Sequence, residues 1–172
     1  MALINKVLPG YVATIWMQDD VTPTAFTDAM LSDWDETKTI VGTSAGGTGT
    51  AGILIPVEAI PAFGADDASA TYAIAGARTG AKITTQNQVT SLNITAAWNP
   101  ADTALLQIRT DGYGGTTIRT YVIAVYDGTD TVAYAFNARV GGLQWDMSPS
   151  AEGKFTFVLH PIGGNSYGWS ND

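Results

Sequence analysis

The chain has 172 residues, 45% apolar and only 14% charged: long enough for one domain around a sizeable core, but with far fewer charges than the roughly 25% usual in soluble domains. Its surface must therefore be made of Thr, Ser, Asn, Gln, Gly and small apolar groups, which suits burial against further copies, although secreted β-proteins share such a composition. A net charge of −8 with scattered basic residues excludes an outer surface built to grip nucleic acid, and the lack of cysteine excludes disulfides, thiol catalysis and Cys-based zinc.

Met1–Gly10 holds a single lysine and an apolar stretch too short for a signal peptide. No stretch approaches the 18 or so apolar residues that span a membrane. Tyr11–Gln18 alternates with period two, placing Tyr11, Ala13, Ile15 and Met17 on one face of a strand. Val21–Asp35 is mixed, with Phe26, Met30, Leu31 and Trp34 as possible anchors, and a short strand is expected over Thr37–Val41. Gly42–Gly52 is rich in glycine and small residues, a composition that is flexible in a lone chain and is expected to order only against a neighbour. Ile53–Ile60 is extended, and Pro56 confines it to an edge or a bulge. Further extended pieces are expected around Thr71–Ala75 and Ala81–Asn87.

Thr90–Trp98 is a strand with Leu92, Ile94, Ala96 and Trp98 on one face. A helix of about three turns is then expected from Pro100 to about Thr110. Asn99 is its expected N-cap and Gly112 its C-cap, with Ala101, Ala104, Leu105 and Ile108 as the apolar stripe. In Thr116–Tyr126 both faces are apolar: Ile118, Val122 and Tyr126 on one, Tyr121, Ile123 and Val125 on the other. Such a strand is covered on both sides, by the helix or by a neighbouring subunit. Asp127-Gly128 marks a hairpin to a strand over Thr131–Val140. Met147–Gly153 is a turn, and Lys154–His160 is the last expected strand.

The order of elements from about residue 50 to 162 resembles the major tail tube protein of long non-contractile-tailed bacteriophages. It rests on a strand ending in Trp98-Asn99-Pro100, a capped helix, a strand Ile118–Tyr126 closing on Asp127-Gly128, an alternating strand through Phe136 and Arg139, and a strand Phe155–Leu159 ending in Pro161. The tract Ile55–Gly64 also looks like that family's segment before its central strands. The resemblance implies a mainly β fold, a β-sandwich or barrel with one flanking α-helix, in a single domain over 1–172. It implies a homo-oligomer: rings, expected to be hexamers, whose inner sheets join into one barrel and which stack into a tube around a tape measure protein. Tail initiator and terminator proteins would be further partners. DNA would pass through the lumen without specific binding, and the subunit would be assembled in the host cytoplasm and reside in the virion. Contacts between rings are expected from the arm 1–10 (Leu3, Ile4), the loop 42–52 (Gly42, Thr43, Gly46, Gly47, Gly49, Gly52) and the tail 163–172 (Trp169).

No catalytic machinery is legible. The one histidine, His160, lies at a strand end with no G-x-S-x-G elbow for a triad. The carboxylates Asp19-Asp20, Asp33-x-Asp35-Glu36, Asp66-Asp67 and Asp127-x-x-Asp130 match no full calcium loop and are read as turns and solvated loops. The glycine run lacks the Lys-Ser/Thr of a P-loop. The chain is therefore expected to be no enzyme and to need no metal or cofactor. Two alternatives stay open. One is a carbohydrate-binding β-module, suggested by five Trp and seven Tyr, although Trp16, Trp34, Trp98, Trp145 and Trp169 are dispersed along the chain. The other is a different structural protein, such as a capsid decoration or secretion-tube subunit.

Overall fold

The computed structural model describes residues 12–18, 26, 28–31, 34, 40, 52–63, 65–72, 81–126, 131–148, 152–162 and 168–171. In chain order the elements are β1 (Val12–Gln18), a single helical turn α1 (Asp28–Leu31), β2 (Ile53–Ile55), β3 (Val57–Ala59), β4 (Ala65–Tyr72), β5 (Ala81–Val89), β6 (Leu92–Ala97), the helix α2 (Thr103–Gly114), β7 (Ile118–Tyr126), β8 (Thr131–Asp146), β9 (Lys154–Pro161) and β10 (Gly168–Asn171). The fold is mainly β, as expected.

Seven strands follow one another across the main sheet in the order β2-β1-β7-β8-β9-β6-β3, and every pairing is antiparallel. The outermost strands, β2 and β3, are consecutive in the chain and separated only by Pro56. One residue cannot bridge the two margins of a flat seven-stranded sheet, because strands lie about 4.8 Å apart. The sheet therefore curls until its margins meet, forming a nearly closed barrel. Pro56 sits where the chain leaves one margin for the other, a place where its missing N–H breaks no ladder.

Closure sorts the side chains by parity. Ile15, Met17, Ile55, Leu92, Ile94, Ala96, Tyr121, Ile123, Tyr134, Phe136, Ala138, Val140, Phe155, Phe157 and Leu159 form one buried cluster together with Ala104, Leu105 and Ile108 of α2. Each aliphatic or phenyl group fully removed from water here stabilises the fold by about 1.5–3 kcal/mol. The opposite face of β7 and β8, with Val122, Ala124, Ala133 and Ala135, packs under Phe26, Leu31, Trp34 and Ile40, flanked by Trp16 and Met30. The two-faced strand is thus covered on one side by the interior cluster, to which α2 contributes, and on the other by Phe26, Leu31, Trp34 and Ile40 of the same chain. The expected anchors in that segment hold. The strand expected over Thr37–Val41 lies outside the described residues except for Ile40, which is buried and in no strand.

The helix begins later than the sequence suggested. Asp102 is its N-cap, in extended conformation, accepting the Leu105 N–H at 3.0 Å. Asn99 instead closes a turn ahead of the helix: its side chain accepts from Ala101 N–H at 3.0 Å and its carbonyl from Asp102 N–H at 3.1 Å. Ala101 is left exposed, outside the stripe. At the other end the cap is Gly115, left-handed at φ 66°, its N–H bonded to the Asp111 carbonyl at 2.9 Å. Gly112 lies within the helix, where a Cβ would come within 2.8 Å of Leu143; it is the point at which α2 closes on β8. We therefore expect Asp102→Ala to cost about 1 kcal/mol and Asn99→Ala clearly less, read from urea midpoints. Equal losses would place the cap wrongly.

β8 runs six residues past the expected end at Val140. Along one margin it pairs with β7 from Thr131 to Arg139; along the other it pairs first with β10, then with β9 from Ala138 onward. The register shifts between Gly141 and Gln144, and Gly142 adopts φ 59° there. That bulge lets the strand bend and continue past Val140. β9 is not the last strand either: β10 adds Gly168–Asn171 to β8, with Trp169 opposite Tyr134.

Candidate assembly interface

The inter-ring candidates fall unevenly. Leu3, Ile4, Gly42, Thr43, Gly46, Gly47 and Gly49 lie outside the described residues. Gly52 is half-buried immediately before β2. Trp169 is held in register on β8 by backbone pairing, so the end of the 163–172 tail is part of this subunit's own sheet.

β4 and β5 form a separate antiparallel hairpin, with Ala65 opposite Val89 and Tyr72 opposite Ala81. No other described strand pairs with either, so among the described strands the outer edges of this ribbon of eight- and nine-residue strands have no partner. An isolated two-stranded ribbon is marginal in water, and an open edge of this length is a template for another strand. The sequence offers little to block it: Asp66, Asp67 and Lys82 are the charges in these strands, and neither contains proline.

A second surface was not visible in the sequence. The C-terminal turn of α2 and the far end of β8 enclose an open groove of about 530 Å³, lined by Trp98, Arg109, Thr110, Tyr113, Trp145 and Met147. Four of the five tryptophans, dispersed along the chain, meet in two pairs. Trp98 and Trp145 meet edge to face at 6.1 Å, both against Phe155, while Trp16 and Trp34 meet at 6.1 Å on the outer face of the barrel. Only the β8 extension beyond Val140 brings Trp145 to Trp98.

Beside the groove, the helix is fastened to β7 by a buried ion pair. Arg119 donates through Nε to Asp111 Oδ2 and through a terminal nitrogen to Oδ1 at 3.1 Å; Gln107 donates to the same Oδ1 at 3.0 Å. Next to this pair the Tyr121 phenol is fully buried. It is held well above its ordinary value of 10.0, first by burial and then by the Asp111 carboxylate, with Arg119 opposing.

His160 is exposed, its Nδ1 3.1 Å from the Ser91 hydroxyl. Among the described residues no three His, Asp or Glu side chains converge as a metal site, and no helix is long and apolar enough to cross a membrane.

No family profile and no characterised protein matches the chain in sequence. In structure it is similar to components of contractile injection particles. One is a chain of the anti-feeding prophage baseplate, solved with 6-fold symmetry, at TM-score 0.62 and 9% identity, covering 93% of this chain and 95% of that one. Another belongs to the sheath/tube terminator of PVC, an extracellular contractile injection system, at TM-score 0.57 and 12% identity, covering 93% and 98%. A third belongs to the PVC sheath-tube complex in its extended state, at 0.56 and 14%, covering 92% of each. At such identities the shared property is the fold, and it extends over nearly the whole of each chain. The fold is thus one shared with chains of contractile injection assemblies.

Proposed function

We propose that this protein is a structural subunit that assembles with copies of itself into stacked rings, forming a tube of the phage-tail kind. It acts through interfaces and not as an enzyme. The observation that carries this reading is the β4–β5 hairpin, a ribbon that pairs with no other described strand, in a subunit whose main sheet has nearly closed its own edges. A strand from the adjacent subunit would satisfy each edge, and repetition of that heterologous contact around an axis gives a ring. The low charge content fits a surface that spends its life covered. The fold similarity to chains of tube, terminator and baseplate assemblies supports the same reading.

In its finer form the proposal is a hexameric ring of the long-tailed phage kind. The tube would be built on an initiator, around a tape measure protein, and closed by a terminator, within the virion. The net charge of −8 suits a wall along which DNA slides without sticking.

Electron microscopy of the purified protein over a range of concentrations tests the proposal. Stacked rings with an open lumen are the expected result, and their symmetry counts the subunits. Removal of Thr43–Ala51 is expected to leave a folded subunit that does not stack. Tubes of normal length from that deletion would remove the loop from the interface. Monomers at every concentration, together with binding in a glycan screen, would replace the whole reading by the carbohydrate-binding one.

A further inference from the structure

The α2–β8 groove has the make-up of a contact that is waiting for its other half. Tyr113 is 73% exposed and Met147 52%, although both are large and apolar. They flank the half-buried Trp98 and Trp145, and Arg109 completes the lining. Tyr, Trp, Met and Arg are the residues enriched in the cores of protein interfaces.

The groove is also rigid. Tyr113 stacks on Trp145 at 6.2 Å and 20°, and Trp145 is backed by Phe155 at 4.9 Å and by the edge of Trp98. Rings held in this way lose little freedom on binding.

The charge of the groove indicates what fills it. Arg109 has no ion-pair partner among the described residues, whereas Arg119, ten residues on, is tied to Asp111. A guanidinium between aromatic walls favours a carboxylate presented with apolar neighbours. The chain itself is rich in that chemistry, with 16 acidic residues against 8 basic.

We infer that the groove formed by Trp98, Arg109, Tyr113, Trp145 and Met147 seats an acidic segment of a second copy of this chain. The inference rests on the self-assembly proposed above and assigns a face to it. A basic aromatic groove is not complementary to itself. The contact is therefore heterologous, groove to acidic segment, and it propagates around a ring or along a tube instead of closing a two-fold dimer. It is separate from the β4–β5 edges, so each subunit would meet its neighbours both through backbone pairing and through this anchor.

The test uses the absence of cysteine. Thr110→Cys at the rim of the groove supplies a single thiol, which is labelled with a benzophenone maleimide and irradiated in the full-length protein at assembling concentrations. The expected product is an adduct between copies, mapped by mass spectrometry to a peptide containing Asp or Glu. In parallel, Tyr113→Ser and Arg109→Glu are expected to raise the concentration needed for half-assembly by about tenfold or more, with thermal midpoints near that of the parent because both side chains reach solvent. Unchanged assembly of both variants, with no adduct between copies, overturns the groove assignment and leaves self-assembly standing. Failure of the unmodified chain to associate at any concentration, by sedimentation, removes both.

Discussion

Arg119→Ala is expected to destabilise the subunit by about 3–5 kcal/mol, the range for stranding one member of a buried ion pair. The partner left behind, Asp111, has a side chain only 4% exposed, and Gln107 would be its remaining described donor. The pair joins the last turn of α2 to the first residues of β7. Its loss loosens the helix from the barrel as well as leaving a carboxylate in a dry site. Replacing both partners, as in Arg119→Met with Asp111→Leu, should recover most of the loss, since apolar groups of similar size need no partner. Tyr121→Phe is the contrasting control. Its hydroxyl is buried without a hydrogen-bond partner among the described residues, so removing it should be neutral or mildly stabilising. It should also flatten the alkaline limb of stability. A phenol raised in the folded state contributes stability that is complete below pH 10 and lost as pH climbs toward its raised value. Urea titrations of the four proteins decide the matter, and a loss below 1 kcal/mol for Arg119→Ala would mean that the pair is solvated and unimportant.

Proline in the hairpin is expected to separate assembly from folding. On a strand, successive N–H groups point to opposite sides. Of the adjacent substitutions Asn87→Pro and Gln88→Pro, one therefore removes a donor toward β4 and the other a donor toward the outer edge. Both positions lie in the regular part of the ladder, opposite Asp67 and Asp66 and clear of the register shift between Ala68 and Ser69. Because β4 and β5 pair only with each other among the described strands, the barrel should keep its thermal midpoint and near-ultraviolet circular dichroism. The edge-facing proline should abolish rings outright, since every subunit carries the block and each contact in a ring is repeated. Normal tubes from both variants would show that copies do not meet through this hairpin, and the function proposed here would lose its main support.

Period-two alternation was enough to place β1, β6, β7 and β9 to within a residue or two, and to predict that β7 is buried on both faces. Those features depend only on which side chains avoid water, and a strand reports that directly through parity. Elements whose outcome depends on a partner were read less well. Asn99 and Asp102 are both good caps, and the choice between them was made by the turn that carries the chain out of β6. β8 was expected to end at Val140 and instead continues through a bulge, because β9 pairs with it on both sides of the register shift between Gly141 and Gln144.

From sequence alone, the chain's β character, the helix after β6, its lack of cysteine and its shortage of charge were determined, because each follows from residue type and spacing. Tertiary structure alone decided that β2 and β3 close a barrel across Pro56, that β10 returns to β8, that Arg119 finds Asp111, and that Trp98, Tyr113 and Trp145 share one groove. These contacts join residues far apart in the chain, and no local pattern encodes which distant surfaces meet once the barrel has curled shut.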